Sequence, residues 1–285
     1  MTARTRRHDE RLRTRYGPWA LVTGASSGIG RQMALELARA GVHVVLVGRR
    51  QAALDALALE MQEAHGTQSR VVRVDLSDEL GVQKVLDSVA DLDLGLVVAA
   101  AGFGTSGPFT GGTRDDELAM LDVNCRAVLL LCLGVTPQLV SRGRGGLILL
   151  SSIVAFQGTP GSAHYAATKA YVQTLAEGLH AELRGSGVDV LSSAPGPVDT
   201  AFADRADLRP GRAADPQAVA VTTLRALGRR TTVAPGAMSK LLTWSLALLP
   251  RWGRIRVMGA VMGGMTRHQQ PQPESNPQST SRTSR

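Results

Sequence analysis

The feature of this sequence that most constrains its fold is a glycine-rich turn, TGASSGIG (23–30), between a strand pattern and a helix pattern. WALVTG (19–24) is apolar and reads as a buried strand, and GIGRQMALELARAG (28–41) has a helical repeat that stops at a glycine. Glycines permit both a tight turn and a close approach of helix to strand. The start of such a helix offers unpaired N–H groups and a positive dipole end, which together bind pyrophosphate. The turn therefore predicts a dinucleotide site made by Gly24, Ser26, Ser27, Gly28, Ile29 and Gly30.

Short apolar runs and longer helical patterns keep alternating along the chain. Further strands are expected at 42–48, 69–76, 94–102, 145–153, 188–196 and 231–236. Helices are expected at 51–66, 77–90, 116–140, about 164–184 and 215–228. This alternation predicts an α/β fold of the Rossmann type, a doubly wound parallel sheet of about seven strands with helices on both faces. Ligands bind such sheets at the carboxyl ends of the strands.

Charge divides the chain into a nearly neutral body and two basic ends. Residues 1–15 carry a net charge of +4 and residues 250–285 carry +5. The whole chain carries +8, so the residues between them carry −1. We interpret 1–17 as a flexible basic arm, 18–236 as the Rossmann-fold catalytic domain, 237–267 as an amphipathic extension and 268–285 as a disordered tail. The neutral body and the lack of interleaved aromatics argue against a nucleic-acid partner. Two cysteines seven residues apart cannot form a disulfide framework, so a cytoplasmic setting is expected.

The end of the second strand indicates which nicotinamide cofactor is bound. Enzymes that use NAD place an acid there for the ribose hydroxyls, but this chain has Gly48 followed by Arg49 and Arg50. A guanidinium binds a 2′-phosphate that a carboxylate would repel, so the sequence predicts NADP(H), with Arg49 on the phosphate. The alternative is a pair of solvated arginines at a helix start. Asp75 and Leu76 end the third strand and are expected to meet the adenine.

A tyrosine and a lysine lie one helical turn apart in HYAATKA (164–170), separated by small residues. Tyr165 and Lys169 would share a helix face, and a nearby cation lowers a phenol pKa towards the range useful for acid–base catalysis. The alternative is a surface tyrosine beside a solvated lysine. The motif therefore predicts an acid–base pair only if other motifs support it.

Taken together, the motifs resemble the short-chain dehydrogenase/reductase family over about residues 18–236. The matching pieces are TGASSGIG, Asp75-Leu76, AAAG (99–102), LDVNC around Asn124, SSI (151–153), YAATK (165–169) and PGPVDT (195–200). The resemblance implies that Tyr165 is the acid/base, that Lys169 tunes it and binds ribose, that Ser152 bonds the substrate oxygen, and that Asn124 holds a relay water. It also implies cofactor contacts from Ala101, Gly102, Tyr165, Lys169, Pro195, Gly196, Val198 and Thr200.

One piece departs from the family pattern, because AAAG stands where the family usually has NNAG. Ala100 and Ala101 still allow the backbone to approach the cofactor, and Gly102 is kept. A side-chain amide that ties neighbouring strands is missing, which places local stability rather than chemistry in question.

These observations predict an NADP(H)-dependent oxidoreductase that transfers hydride between nicotinamide and a lipophilic carbonyl or alcohol, with no metal. The alternative is a catalytically silent NADP(H)-binding regulatory protein of the same fold, and the resemblance implies a homodimer or homotetramer. The candidate substrate contacts are Phe103, Phe109, Val154, Phe156, His164 and Phe202. The alternative is ordinary core packing, and His164 is interpreted as a helix-start residue. The extension 237–267 is interpreted as a pocket cap or packing segment, with peripheral membrane contact as the alternative.

Overall fold

A computed structural model describes residues 3–211 and 213–269, and its centre is one parallel sheet. The described residues form seven strands: β1 (Trp19–Thr23), β2 (His43–Gly48), β3 (Ser69–Arg73), β4 (Leu94–Ala99), β5 (Gly145–Leu150), β6 (Val188–Ser193) and β7 (Thr232–Val233). Their order is β3-β2-β1-β4-β5-β6-β7, and every neighbouring pair is parallel. The strand order reverses between β1 and β4, as it does in a doubly wound sheet. The predicted fold class is confirmed.

Helices cover the sheet and its edges. The described residues contain α1 (Ala3–Tyr16), α2 (Gly28–Arg39), α3 (Gln51–His65), α4 (Glu79–Asp87), α5 (Arg114–Leu121), α6 (Ala127–Arg142), α7 (Ala163–Glu182), α8 (Ala201–Arg205), α9 (Pro216–Ala226), α10 (Ala237–Ala247) and α11 (Arg251–Met265). Helices α2, α3 and α9 contribute to the core on one face, and α4, α6 and α7 to the core on the other.

The second strand illustrates why the strands are apolar throughout. Val44 and Leu46 are fully buried in one core, while Val45 and Val47 are fully buried in the other. Successive side chains of a strand point to opposite faces, so a sheet covered on both sides needs apolar residues at every position. An uninterrupted run such as HVVLVG is the consequence.

The predicted flexible arm is wrong over residues 3–16, which form helix α1. Leu12 and Tyr16, one turn apart, are fully buried in the core. The Tyr16 hydroxyl donates to Asp189 at 2.6 Å, and Arg11 donates to the Leu227 carbonyl at 2.6 Å. Two apolar residues among six arginines gave a weak signal, but Arg11 and Arg15 find acceptors on the body of the protein. Helix α1 lies near the amino ends of the strands, away from their carboxyl ends.

The helix expected at 116–140 is longer and is interrupted. Residues Arg114–Arg142 are continuously helical, but Asp122–Arg126 form a π turn between α5 and α6. Among the described residues, this is the one helical stretch that is long and apolar enough to cross a membrane. Leu131, Val135 and Leu139 are buried against the sheet, so it is a core helix.

The chain after β7 folds into a hairpin of two helices, α10 and α11, over the region expected to be an amphipathic extension. Leu246 of α10 and Met258 of α11 pack with Val154 and Ala166 in a small third core. Of the tail expected to be disordered, His268 and Gln269 are described and hydrogen-bond to Asp207. The remainder lies outside the described residues.

Candidate active site

A cavity of about 650 Å³ opens at the carboxyl ends of β1, β4, β5 and β6. This is the crevice in which doubly wound sheets bind ligands, and the volume lies in the ordinary range for small-molecule sites. Every predicted catalytic or cofactor-binding residue except Asn124 lines this cavity. Residues that are far apart in the sequence are thus brought to one place.

The glycine turn forms a cradle that side chains would fill. At Gly24, which has a φ of 68°, a Cβ atom would lie 2.9 Å from the Ala101 backbone. At Gly30 it would lie 2.5 Å from the Gly24 carbonyl oxygen. Contacts this close do not occur, so both positions require glycine. The backbone of β1 and the start of α2 can consequently approach a ligand without intervening side chains.

The N-terminus of α2 faces this cradle and has the donors that an anion needs. The Ser27 side chain sits at the N-cap position but makes no capping hydrogen bond. The first N–H groups of a helix lack intrahelical partners, and here Gly28, Ile29 and Gly30 line the cavity. This geometry fits the pyrophosphate of a dinucleotide.

The missing amide of the AAAG segment is compensated by Thr23 at the end of β1. The Thr23 hydroxyl accepts hydrogen bonds from the N–H groups of Ala100 and Ala101, both at 3.1 Å. These bonds tie β1 to the chain that leaves β4. Thr23 was part of the quoted turn but was not predicted as a supporting residue, because the pairing depends on the register of two strands.

Arg49 and Asp75 meet at the far end of the cavity, where their nearest charged atoms are 3.7 Å apart. Burial raises the pKa of Asp75, but hydrogen bonds from Ser77 and the charge of Arg49 outweigh it, so the net pKa is lowered. Arg50 instead donates to the Ser26 carbonyl at 2.7 Å. Arg49 is therefore the arginine that remains available to a ligand, since an exposed ion pair of this length is weak.

Tyr165 and Ser152 share the inner part of the cavity, where the Ser152 hydroxyl donates to the Pro195 carbonyl at 3.4 Å. Burial raises the pKa of Tyr165 above its ordinary value, and the neighbouring Ser152 side chain opposes this rise only in part. The neighbouring Ser151 is directed elsewhere, because its hydroxyl donates to the Lys169 carbonyl at 3.0 Å. The structure thus separates the two serines, and Ser152 is the one that faces the tyrosine.

Lys169 is buried beside Tyr165, with its Nζ 5.8 Å from the centre of the tyrosine ring. The ammonium donates to the Leu150 carbonyl at 2.8 Å, and burial lowers its pKa to about 8. Burial of the phenol raises its pKa despite the nearby cation, which is itself desolvated and held by a carbonyl. The tuning of Tyr165 by Lys169 stays a prediction.

Asn124 lies in the π turn and does not reach the cavity wall. Its amide exchanges hydrogen bonds with the Phe103 backbone, at 3.1 and 2.9 Å, and donates to Thr168 at 3.0 Å. A Cβ at Gly102 would lie 3.0 Å from Asn124 Oδ1 and 3.2 Å from Lys169 Nζ. Asn124 therefore positions the 102–103 backbone and lies close to the lysine. Single π turns are frequent at functional sites.

The 195–200 loop closes the cavity opposite the glycine turn. The N–H of Gly196 donates to Ser239 at 2.8 Å, and that of Ile153 donates to the Pro195 carbonyl at 3.1 Å. Thr200 caps the short helix α8 and lies against Gly28. Val198 completes the lining. Ser239 belongs to α10, so the C-terminal hairpin supports this loop.

The rest of the cavity is mainly apolar, and the C-terminal hairpin supplies much of its wall. Among the expected substrate contacts, Phe103, Val154 and Phe202 line it, whereas Phe109, Phe156 and His164 do not. Phe109 is exposed, and His164 pairs with Glu117 at 2.5 Å. The wall opposite is supplied by Met238, Leu242, Met258, Val261, Met262 and Met265.

Arg205 is a lining residue that the sequence did not suggest. Its guanidinium carbon lies 3.6 Å from the centre of the Phe103 ring, and burial lowers the pKa of Arg205. A lone arginine on a five-residue helix has no distinctive pattern, so only the folding of α8 over the cavity identifies it.

Comparison with known proteins places this geometry in a family. The family model for short chain dehydrogenases matches residues 18–210. A 7β-hydroxysteroid dehydrogenase of Clostridium sardiniense is 34% identical over 189 residues, which cover 66% of this chain and 72% of that protein.

Solved structures show the same relationship. A 7β-hydroxysteroid dehydrogenase structure superposes with a TM-score of 0.80 at 28% identity, covering 87% of this chain and 98% of the other. A short-chain dehydrogenase from Sphingobium yanoikuyae in complex with NADPH has a TM-score of 0.74 at 28% identity, covering 81% and 93%. Fold, motifs and sequence agree, and this chain belongs to the short-chain dehydrogenase/reductase family of oxidoreductases.

Proposed function

We propose that this chain is an NADP(H)-dependent reductase of a bulky, lipophilic ketone, or a dehydrogenase of the corresponding secondary alcohol. The observation that carries the proposal is the position of the Ser152–Tyr165 pair, which lies in one cavity with the glycine cradle and a methionine-rich wall. The polar pair is suited to a carbonyl oxygen, and the methionine wall to an apolar body of irregular shape. The similar proteins named above include hydroxysteroid dehydrogenases.

The cofactor residues of the proposal follow from the shape of the site. The amino end of α2 would hold the pyrophosphate and Arg49 the 2′-phosphate, with Asp75 and Leu76 beside the adenine. Ala101, Gly102 and the 195–200 loop would enclose the nicotinamide half. The glycine cradle supports this assignment, because its Cβ positions are blocked by backbone. NADP(H) is preferred to NAD(H) since Gly48 supplies no acid.

In the proposed reduction, Ser152 donates a hydrogen bond to the carbonyl oxygen and Tyr165 donates the proton. Bound nicotinamide supplies the hydride to the carbonyl carbon. A tyrosine is protonated at neutral pH, as a proton donor must be, and the charge of Lys169 would favour the phenolate that forms when the proton leaves. Lys169, with a pKa of about 8, is largely charged at pH 7 and would hold ribose hydroxyls. Asn124 fixes the adjoining backbone and is proposed to support proton return through water.

The alternative of a silent NADP(H)-binding regulator is less well supported. Binding alone would not need Ser152 directed at Tyr165, or a desolvated lysine held beside both. Smaller apolar residues could pack in place of these three side chains, so packing does not explain their presence. Burying a lysine also disfavours folding. Their joint presence favours turnover.

Pairing of two copies is also part of the proposal. Large apolar side chains are exposed on three helices of the single chain: Leu121 on α5, Leu133 on α6 and Tyr171 on α7. Burial in a twofold interface would remove them from water. Sedimentation equilibrium would show a dimer or tetramer, and a monomer at micromolar concentration would contradict this point.

The test of the proposed function measures absorbance at the reduced-nicotinamide band. Purified protein is mixed with NADPH, or separately NADH, and a panel of bulky ketones that includes steroid ketones. NADPH oxidation with at least one ketone is expected. Tyr165→Phe is expected to reduce kcat by about a thousandfold or more while NADPH still binds. NADPH binding without turnover across the panel, in both directions, would favour the regulator.

A further inference from the structure

The outer face of the α10–α11 hairpin is a surface of large apolar side chains. Leu241, Trp244, Leu248 and Trp252 have 59%, 70%, 73% and 65% of their surface exposed. The first three recur at helical spacing along α10 and its end, and Trp252 begins α11. Single apolar residues scattered over a surface need no explanation. Two tryptophans and two leucines exposed on one hairpin form a patch, which does.

The inner face of the same hairpin belongs to the protein. Leu246 and Met258 are buried in the small core with Val154, and Met262 and Met265 line the cavity. Arg254 donates to the carbonyls of Ala247 and Leu249, which closes the C-terminal end of α10. The hairpin is therefore a folded unit, and its exposed face is not the consequence of a loose segment.

The acidic and basic residues of the hairpin and its flanking segments are all of one kind, basic. Between residues 216 and 269 the sequence contains no Asp or Glu. The hairpin and its flanks carry Lys240, Arg251, Arg256 and Arg267, all exposed. The Arg256 guanidinium carbon lies 5.6 Å from the centre of the Trp252 ring, so one of these cations lies directly beside the apolar surface.

We propose that this outer face docks on an anionic lipid surface. Tryptophan rings prefer the interface between headgroups and acyl chains, and basic residues beside an apolar face add attraction to anionic lipid. A second copy of this chain would be a poorer occupant, because facing two such surfaces across an interface would oppose like charges. The docking does not depend on the proposed reaction.

The hairpin also relates this surface to the cavity. Met258, Met262 and Met265 line the cavity on one side of α11, while Trp252 and Arg256 lie exposed on the same helix. A helix with its side chains is only about 10–12 Å across. A docked protein would thus hold its cavity near the acyl chains in which lipophilic ketones concentrate. This second step rests on the proposed function.

Vesicle flotation tests the docking with the full-length protein. The probes are vesicles of phosphatidylcholine alone and of phosphatidylcholine with phosphatidylglycerol. We expect at least about fivefold stronger partitioning onto the anionic vesicles, and loss of that preference in high salt. The chain has three tryptophans, of which Trp244 and Trp252 lie on this face, so binding should also shift the fluorescence to the blue.

The double variant Trp244→Ser, Trp252→Ser is expected to reduce partitioning by about tenfold or more. Leu80→Ser is the matched control, because Leu80 is 68% exposed on α4, outside this face. Thermal melting checks that both variants fold. Equal partitioning of wild type and double variant, or no wild-type binding to anionic vesicles, would overturn the proposal.

Sedimentation of the same variants distinguishes lipid docking from an interface between two copies of this chain. If the double variant dissociates an oligomer that Leu80→Ser leaves intact, the face is an interface between copies and the lipid proposal is overturned. NADPH oxidation with a water-soluble ketone is measured in parallel. Neither tryptophan lines the cavity, so the double variant is expected to retain that activity. A protein that binds vesicles but turns over no ketone would contradict the proposed reaction and leave the docking supported.

Discussion

Replacing Gly48 by aspartate tests which side chains select the nicotinamide cofactor. Gly48 ends β2 beside Arg49, at the part of the cavity that we assign to the adenosine ribose. A Cβ at this position would lie 3.4 Å from Ser26 Oγ and 3.5 Å from Leu54 Cδ2, which are ordinary contact distances. The φ of Gly48 is not positive. Gly48→Asp should therefore fold and place a carboxylate where NAD enzymes have one.

The expected magnitude follows from charge and exposure. The new carboxylate and a bound 2′-phosphate would repel each other. Two unit charges about 4 Å apart interact by roughly 4 kcal/mol at the effective dielectric of a protein surface. The Arg49 side chain is 58% exposed, so solvent screening reduces this to about 2 kcal/mol. That repulsion corresponds to a roughly 30-fold rise in KM for NADPH. New hydrogen bonds to ribose hydroxyls should lower KM for NADH about fivefold to tenfold.

Steady-state kinetics with both cofactors and one ketone check this expectation, with melting temperature as a fold control. Arg49→Ala is the matched variant, because it removes the phosphate contact without adding an acid. It should raise KM for NADPH about tenfold and leave KM for NADH unchanged. If Gly48→Asp folds but shifts the ratio of the two KM values by less than threefold, Gly48 and Arg49 do not select the cofactor.

Three further predictions concern stability. Thr23→Val keeps the side-chain shape but removes the acceptor for Ala100 N–H and Ala101 N–H. The free energy of unfolding, measured with urea, should fall by about 1–3 kcal/mol. An unchanged value would show that these hydrogen bonds do not stabilise the AAAG segment. Leu12→Ala should cost about 2–4 kcal/mol because Leu12 is fully buried, whereas a mobile arm would give no change. Burial lowers the pKa of Lys169 to about 8, so the folded protein binds fewer protons than the unfolded chain above that pH. The free energy of unfolding should then rise from pH 8 to 9 more steeply in wild type than in Lys169→Met, by up to about 1.4 kcal/mol per pH unit, and equal slopes would contradict a desolvated lysine.

Local patterns were sufficient for most of the sheet, for the glycine turn and for the Tyr165–Lys169 pair, whereas Asn124 and the 195–200 loop came from the family resemblance. The strand–turn–helix at 19–41 and the four-residue spacing of Tyr165 and Lys169 depend on neighbours in the chain, so they can be recognised there. Resemblance supplied the role of Ser152. The catalytic and cofactor roles stay predictions until the variants are measured, although their residues line one cavity or, for Asn124, support it.

What the sequence determined by itself was the order of elements and the chemistry available at the strand ends. Only the tertiary structure showed that α1 docks through Leu12 and Tyr16, that Thr23 ties the AAAG segment, and that α11 walls the cavity with methionines. It also showed that Lys169 is buried and donates to the Leu150 carbonyl. Each of these depends on atoms brought together from distant parts of the chain. Burial and hydrogen-bond partners are properties of that packing, and periodicity along the sequence does not encode them.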